Sequence, residues 1–250
     1  MIISHIHRYL FIEIPHSACT AIGQELIDSY EGKSILAKHA TYPEFLRQAS
    51  EEERTYFTFC SIRNPLDVVA TKHAHVRRPR DEQAIAAYRK RNRRIWREVN
   101  YVKRHDADFE RYFRHFWPLV YVNRCAALPP DIGFVIRYER LHEDFAEALR
   151  RMGLTRVRDL PVVNRSEGKS ADYRSYYQTA GLRKRAARVF GPFMGEWGYA
   201  FPEDWFPVRV PWWSYLVYPV ETAVRCLYYR FQNRHVVRMQ ARAGMTEMRY

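Results

Sequence analysis

The sequence contains no run of about 18 consecutive apolar residues, the length that a membrane-spanning helix needs. Residues 206–220 come nearest, but Arg209, Pro211 and Pro219 interrupt them. The N-terminal segment also lacks the basic region, long apolar stretch and cleavage pattern of a signal peptide. These absences predict a cytoplasmic protein without a spanning helix.

Cysteine is scarce, since the chain has only four such residues. They form no CxxC pair and lack the spacing of a zinc site, which predicts reduced thiols. Two histidine pairs, His5/His7 and His73/His75, have no third ligand at a suitable spacing, so we predict no metal site. The four cysteines are Cys19, Cys60, Cys125 and Cys226.

Acidic residues are fewer than basic ones, since the chain has 28 Asp and Glu residues and 41 Lys and Arg residues, which gives a net charge of +13. This excess favours anionic partners such as nucleotides, acidic glycans, nucleic acid or an acidic membrane surface. No nucleic-acid-binding motif is present, so we predict no specific nucleic-acid partner. A hydrophobic content of 47% in 250 residues is enough for one large domain or two small ones.

Strand-like and helix-like segments alternate along the chain, which predicts an α/β fold with a central, mostly parallel sheet flanked by helices. Ligands in such sheets bind at the carboxyl ends of the strands. The predicted strands are 8–14, 34–37, 56–62 and 133–141, and the predicted helices are 21–30, 41–53, 65–76, most of 81–104, 106–117, 142–154 and 173–190.

The segment "FIEIPHSACTAI" reads as a buried strand, a loop of small residues and the start of a helix. A helix start offers unpaired N–H groups and the positive end of the helix dipole, which together bind phosphate. The alternative is an ordinary turn between strand and helix. The Walker pattern GxxxxGK[ST] is missing, which argues against a standard ATP or GTP site. The candidate ligand-binding residues are Pro15, His16, Ser17, Ala18, Cys19, Thr20 and Ala21.

A second candidate follows the strand at 56–62, in "SIRNPLDVVATKH". Arg63 ends an apolar strand, where its guanidinium is well placed to bind a phosphate through two hydrogen bonds. Thr71 lies eight residues further on, about two turns into the next helix. The alternative is a plain ion pair between Arg63 and Asp67.

Taken together, these two segments resemble the two phosphate-binding elements of sulfotransferases that use PAPS (3′-phosphoadenosine 5′-phosphosulfate). "FIEIPHSACTAI" is similar to the family's phosphosulfate loop, commonly IPKTGGTS, and "FCSIRNPLDVVATKH" to its 3′-phosphate element, commonly VRNPYDRLVSxY, with Thr71 at the serine position. "KHATYPEF" and three segments further along also match, so the resemblance covers residues 5–201. The sequence pattern most resembles that of carbohydrate sulfotransferases of the family 2 type, especially compact bacterial members without a membrane anchor.

The resemblance implies a P-loop-like three-layer fold and an enzyme that transfers a sulfuryl group from PAPS, releases 3′-phosphoadenosine 5′-phosphate (PAP) and needs no metal. Arg63 and Thr71 would hold the 3′-phosphate, with Lys169 as a third contact and Arg165 as a weaker choice. His16 stands where the family has its loop lysine, and either donates to the leaving phosphate or merely fills the loop.

The resemblance also implies a general base, because the acceptor must lose a proton. His39 is the first candidate, since some uronyl sulfotransferases place a histidine between the two phosphate elements. Lys38 beside it would lower its pKa and favour the neutral form. The alternative is a surface histidine. Glu13 and Glu44 are rival bases, because other members of the family use a glutamate.

The acceptor is expected to be a carbohydrate or a glycolipid, and the basic segment 88–104 would either contact it or form a solvated surface. Residues 1–204 are interpreted as the sulfotransferase domain and 205–250 as an aromatic and basic helical extension. Within it, 205–231 suits peripheral contact with the inner membrane face, a homodimer contact or a packed helix. Two rivals remain: a P-loop-like kinase, and a non-catalytic nucleotide- or polyanion-binding protein of the same fold.

Overall fold

The computed structural model describes residues 1–161 and 172–242. The chain divides into two compact units. The first contains the described residues of Met1–Arg63, Val122–Val163 and Val220–Tyr250, and the second those of Asn64–Tyr121 and Asn164–Pro219.

The described strands of the first unit form one five-stranded sheet in the order β3-β1-β2-β4-β5. Strand β2 pairs in parallel with β4, and β4 in parallel with β5, whereas β1 is antiparallel to both of its neighbours. Four strands therefore run in one direction, which confirms a mixed α/β fold with a mostly parallel sheet. The strands are β1 (Ile2–Ser4), β2 (Tyr9–Ile12), β3 (Lys33–Ser34), β4 (Phe57–Ile62) and β5 (Phe134–Arg137).

Helices occupy most of the remaining described chain. The first unit contains α1, α2 and α7, the second contains α3 to α6 and α8, and the residues of α9 are divided between the units. None of the helices among the described residues is long and apolar enough to cross a lipid bilayer. The helices are α1 (Cys19–Ser29), α2 (Tyr42–Leu46), α3 (Pro65–Arg77), α4 (Glu82–Arg91), α5 (Arg93–His105), α6 (Phe109–Phe116), α7 (Leu141–Arg151), α8 (Ala180–Glu196) and α9 (Trp212–Arg242).

The core of the first unit forms because side chains alternate across a strand, so that residues two apart share a face. Tyr9 and Phe11 of β2 and Phe59 of β4 lie fully buried on one such face. The Phe11 and Phe59 ring centroids are 5.1 Å apart. Helices α1 and α7 contribute apolar residues to the same cluster. The register pairs Ile12 with Cys60, so β2 and β4 end side by side and bring together the loops that follow them.

The second unit is built around aromatic side chains. Phe109, Phe113 and Tyr177 are buried, with the Phe109 and Tyr177 ring centroids 4.9 Å apart. The Tyr177 hydroxyl donates a hydrogen bond to the Leu66 carbonyl at 3.0 Å and so fixes the first turn of α3. The Asn64 side chain caps this helix by accepting from the Leu66 N–H at 3.0 Å.

The helix predicted over 41–53 is wrong in its length, because α2 ends at Leu46. Its start is as expected, since Thr41 and Glu44 form a capping box. Ser50 and Glu53 form a second reciprocal pair, in which the Ser50 N–H donates to Glu53 at 2.7 Å and the Glu53 N–H to Ser50 at 3.2 Å. This second pair starts a new turn, and the chain does not continue as one helix.

Candidate active site

The loop after β2 has an unusual backbone. His16 and Ala18 have φ angles of 68° and 61°, in the left-handed region that costs a residue with a Cβ about 1–2 kcal/mol. Ala18 is the N-cap of α1. The similar family loop, IPKTGGTS, has glycine at this position, and glycine adopts the conformation without strain. His16 is exposed to solvent.

Ser17 ties this loop to the neighbouring strand. Its buried hydroxyl donates to the Ile14 carbonyl at 2.7 Å and shares a hydrogen bond with the Ser61 hydroxyl of β4 at 2.8 Å. The Ser17 hydroxyl is thus engaged within the protein. Its role is to hold the loop against the end of β4.

The start of α1 is left open. In the part of the chain that the structure describes, no side chain caps this helix and its first turn carries no acidic residue. The first helical bond runs from the Ile22 N–H to the Ala18 carbonyl at 3.1 Å, so the N–H groups of the preceding residues have no partner within the helix. The Lys38 ammonium donates to the Thr20 hydroxyl in this turn at 2.9 Å. Such a turn fits an anion.

His39 lies against the same loop. Its Nδ1 is 3.0 Å from the Glu13 carbonyl oxygen, which can only accept, so Nδ1 carries the proton and Nε2 is left as an acceptor. Burial lowers the pKa of His39 below 6.5, and the charges of Lys38 and Arg124 lower it further, against the opposing effect of Glu13. His39 is therefore held in the neutral form that a general base requires.

The two rival bases are engaged elsewhere. The buried Glu13 carboxylate accepts from the Met1 ammonium at 2.8 Å. The buried Glu44 carboxylate accepts from the Thr41 N–H at 2.6 Å and from the Thr41 hydroxyl at 2.8 Å, as part of the α2 capping box. Both carboxylates stabilise local structure, and His39 remains the better candidate.

The predicted 3′-phosphate residues lie in different units. In the first unit, the Arg63 guanidinium carbon is 3.9 Å from the centroid of the Tyr138 ring, and Arg63 Nη1 is 3.5 Å from the His16 carbonyl oxygen. In the second unit, Thr71 is buried in α3 and its hydroxyl has no hydrogen-bond partner among the described residues. A buried hydroxyl without a partner costs about 1–3 kcal/mol, so the Thr71 hydroxyl fits a group that donates a hydrogen bond to a ligand.

Two cations near His39 were missed as site residues by sequence reasoning. Lys38 was considered only for its effect on the His39 pKa, because nothing local signals its bond to Thr20. Arg124 begins a short 3₁₀ helix (Arg124–Ala127), with its guanidinium carbon 4.5 Å from the Tyr229 ring centroid and its Nη1 buried without a partner among the described residues. Lys169 and Arg165 lie outside the described residues.

The histidine pairs are not arranged around a common site. Within the described ranges, no group of three or more His, Cys, Asp or Glu side chains could hold a metal ion. His5 Nδ1 is 3.1 Å from the Tyr56 hydroxyl, and His73 Nε2 is 3.2 Å from the Ala107 carbonyl oxygen. All four cysteines are described and form no disulfide, and Cys19, Cys60 and Cys125 are buried.

Comparison with known proteins gives one result that matches this geometry. A sequence model of the family described as the sulfotransferase family matches residues 1–191, which include both phosphate-type segments and His39. No curated protein and no solved structure matches the chain. Because the family match covers well over half of its length, the chain belongs to the sulfotransferase family.

Proposed function

We propose that the protein transfers a sulfuryl group from PAPS to a hydroxyl of a carbohydrate or glycolipid acceptor, on a P-loop-like three-layer fold. The observation that carries the proposal is the bond from His39 Nδ1 to the Glu13 carbonyl. This bond places a neutral imidazole, with Nε2 available, against the loop that opens α1. A base beside an anion-binding helix start is the arrangement that sulfuryl transfer to a hydroxyl requires.

The residues fit the donor at two points. The open start of α1 supplies N–H groups and the positive end of a helix dipole for the 5′-phosphosulfate, and its first turn carries no acid that would repel the donor. The buried Thr71 hydroxyl would donate a hydrogen bond to the 3′-phosphate, which we also propose as the ligand of Arg63 and Lys169. Neither point requires a metal ion.

In the proposed reaction, His39 Nε2 takes the proton of the acceptor hydroxyl while the hydroxyl oxygen bonds to sulfur. The N–H groups of Cys19, Thr20 and Ala21 stabilise the negative charge that moves to the phosphate oxygen as the original sulfur–oxygen bond breaks. Ser17, through Ser61, keeps the loop in place during the step. The products are the sulfated acceptor and PAP.

A second candidate function is the binding of a nucleotide or polyanion without catalysis. The observation that favours it is His16, which is exposed and stands where the family has a lysine. An imidazole offers fewer N–H donors than the three of a lysine ammonium, so it stabilises the leaving phosphate less.

Calorimetric titration tests the donor. We expect PAP to bind the wild-type protein much more tightly than ADP, and Arg63→Ala and Thr71→Val to reduce this preference by about tenfold each, because each removes one phosphate contact. Equal affinity for PAP and ADP in the wild type would disprove the proposed function. PAP binding with no release of PAP from PAPS in a screen of acceptors would leave the non-catalytic candidate.

The surface of α9 supports a proposal about location. In the second unit, Trp212, Trp213 and Leu216 are 74%, 41% and 62% exposed, and in the first unit Val220 and Leu227 are 62% and 52% exposed. Among the described side chains of this helix, the charged pair is better covered, since Arg225 is half-buried and pairs with Glu221 at 2.6 Å. We propose that these exposed apolar and aromatic residues bind an anionic membrane surface. The net charge of +13 favours acidic lipid over a second, equally basic copy of the chain.

Vesicle flotation tests this contact. We expect the protein to float with vesicles that contain phosphatidylglycerol and not with pure phosphatidylcholine, and Leu227→Glu to weaken flotation by about tenfold because it places a charge in the apolar surface. Lys33→Gln, which lowers the net charge by one as Leu227→Glu does and lies at an exposed position on β3, serves as the control. A stable dimer by light scattering that Leu227→Glu dissociates, with no flotation, would assign the surface to a homodimer contact instead.

A further inference from the structure

The loop after β2 lacks a lysine, yet an ammonium lies at the start of α1. Lys38 comes from the segment between β3 and α2, and its Nζ donates to the Thr20 hydroxyl at 2.9 Å. Thr20 is the second residue of the helix. The chain thus brings a cation from 18 residues away to the start of α1, next to the loop in which the family has its lysine.

This position is electrostatically unfavourable without an anion. The start of a helix carries about half a positive charge, so an ammonium placed there is repelled. Among the described residues, no carboxylate forms an ion pair with Lys38, and the first turn of α1 has no acid. Burial, and after it the charge of Glu13, raises the pKa of Cys19 in this turn, but the Glu13 carboxylate is held by the Met1 ammonium. A negative group between Lys38 and the helix start would relieve the repulsion.

The backbone around Lys38 is shaped to present it. Leu36 and His39 have φ angles of 58° and 63°, and such left-handed residues are strained. As a result, two consecutive side chains reach the same loop: Lys38 bonds to Thr20 and His39 to the Glu13 carbonyl. One short segment therefore supplies both a cation and a base to the loop.

We propose that Lys38 takes the role of the missing loop lysine and contacts the 5′-phosphosulfate of the donor. This inference rests on the proposed function and names the cation that its loop lacks. As the acceptor oxygen bonds to sulfur and the bond from sulfur to the phosphate oxygen breaks, the electron pair stays on that phosphate oxygen. The Lys38 ammonium stabilises it by a charge-assisted hydrogen bond. His39 receives the acceptor proton, and His16 is not required as a donor.

The test compares two nucleotides that differ only in the 5′-phosphate, namely PAP and adenosine 3′-monophosphate. Lys38→Gln removes the charge and keeps a donor for Thr20, so the fold is expected to survive. We expect this variant to bind PAP about 10- to 100-fold more weakly than the wild type, and to bind adenosine 3′-monophosphate as the wild type does. Lys33→Gln, at an exposed position on β3, is the matched control and should change neither affinity.

A double variant sharpens the result. His16→Lys introduced into Lys38→Gln places a lysine at the family's usual position, and it should recover most of the lost PAP affinity and of the turnover of PAPS. Unchanged PAP affinity in Lys38→Gln, or an equal loss for both nucleotides, would overturn the role of Lys38 while the proposed function stands. A wild type that does not prefer PAP over ADP would overturn the proposed function, and the role of Lys38 with it.

Discussion

Helices α1 and α3 each follow the end of a parallel strand, but their first turns are built in opposite ways. Helix α3 is capped by Asn64, starts with Pro65 and carries Asp67 in its first turn. Helix α1 starts at the left-handed Ala18, with neither a side-chain cap nor an acid in its first turn. The start of α3 is therefore capped by a side chain, whereas the start of α1 is not. The cap and the acid stabilise the start of α3, and the start of α1 keeps N–H groups for the anion that we propose as its ligand.

The largest effect should come from the base beside the open turn. We expect His39→Ala to lower the turnover of PAPS by about 10²–10⁴-fold, because no base is then in place to take the proton of the acceptor hydroxyl. PAP binding should change little, since in the proposed reaction His39 contacts the acceptor and not the donor. Release of PAP measured by chromatography checks the prediction, and turnover close to that of the wild type would shift the role of base to Glu13.

The same histidine should set the acid limb of the activity. Its pKa is lowered below 6.5 by burial, so the neutral, active form persists at pH 6.5 and is lost only as the pH falls further. The folded protein also loses stability over this window, because the unfolded chain binds the proton more tightly. A pH profile of turnover should therefore show a midpoint below 6.5 that is absent from His39→Gln. A midpoint above 6.5 would contradict this assignment.

Making α1 resemble α3 should separate stability from binding. Thr20→Asp places a carboxylate in the open turn, where it interacts favourably with the positive end of the helix dipole and pairs with Lys38. We therefore expect the free energy of unfolding to rise by about 0.3–1 kcal/mol. The same carboxylate repels the donor, and PAP affinity should fall by about 100-fold. Thr20→Asn, which is similar in shape but neutral, is the control for the charge. Thermal melts and calorimetry measure the two effects, and a Thr20→Asp variant that binds PAP normally would exclude an anion site at this turn.

Much of this contrast could be predicted from the sequence, and part of it could not. The strands at Tyr9–Ile12 and Phe57–Ile62 are apolar runs that end in turn residues, so their position follows from local pattern alone. The bond from Lys38 to Thr20 depends on how the chain folds back between β3 and α2, which no local pattern records. Strand β1 was missed because its three residues are too few to show alternation. The place of Arg124 near His39 depends on a 3₁₀ helix of four residues, which is too short to show a periodic pattern.

Removing the cap of α3 tests the other helix start, because it should make the protein less stable. Asn64→Ala deletes the acceptor for the Leu66 N–H, and the loss of such a cap costs about 1 kcal/mol of stability. Asn64→Asp retains an acceptor, removes the donor to the Tyr173 hydroxyl at 3.3 Å and adds a negative charge that suits a helix start, so it should cost less. Urea denaturation of the three proteins checks the order. Equal loss in both variants would assign the role of Asn64 to its bond with Tyr173.

The smallest effect concerns the strain in the open turn. Ala18→Gly removes a Cβ from a residue with a φ of 61°, which relieves about 1 kcal/mol, and the greater freedom of glycine in the unfolded chain offsets part of this gain. We expect a net increase in stability of about 0.5 kcal/mol and PAP binding within twofold of the wild type. Ala21→Gly, at a right-handed position of the same helix, should instead cost about 1 kcal/mol. A loss of stability in Ala18→Gly would mean that the Ala18 methyl group packs favourably, and the open turn would then owe its shape to packing and not to a ligand.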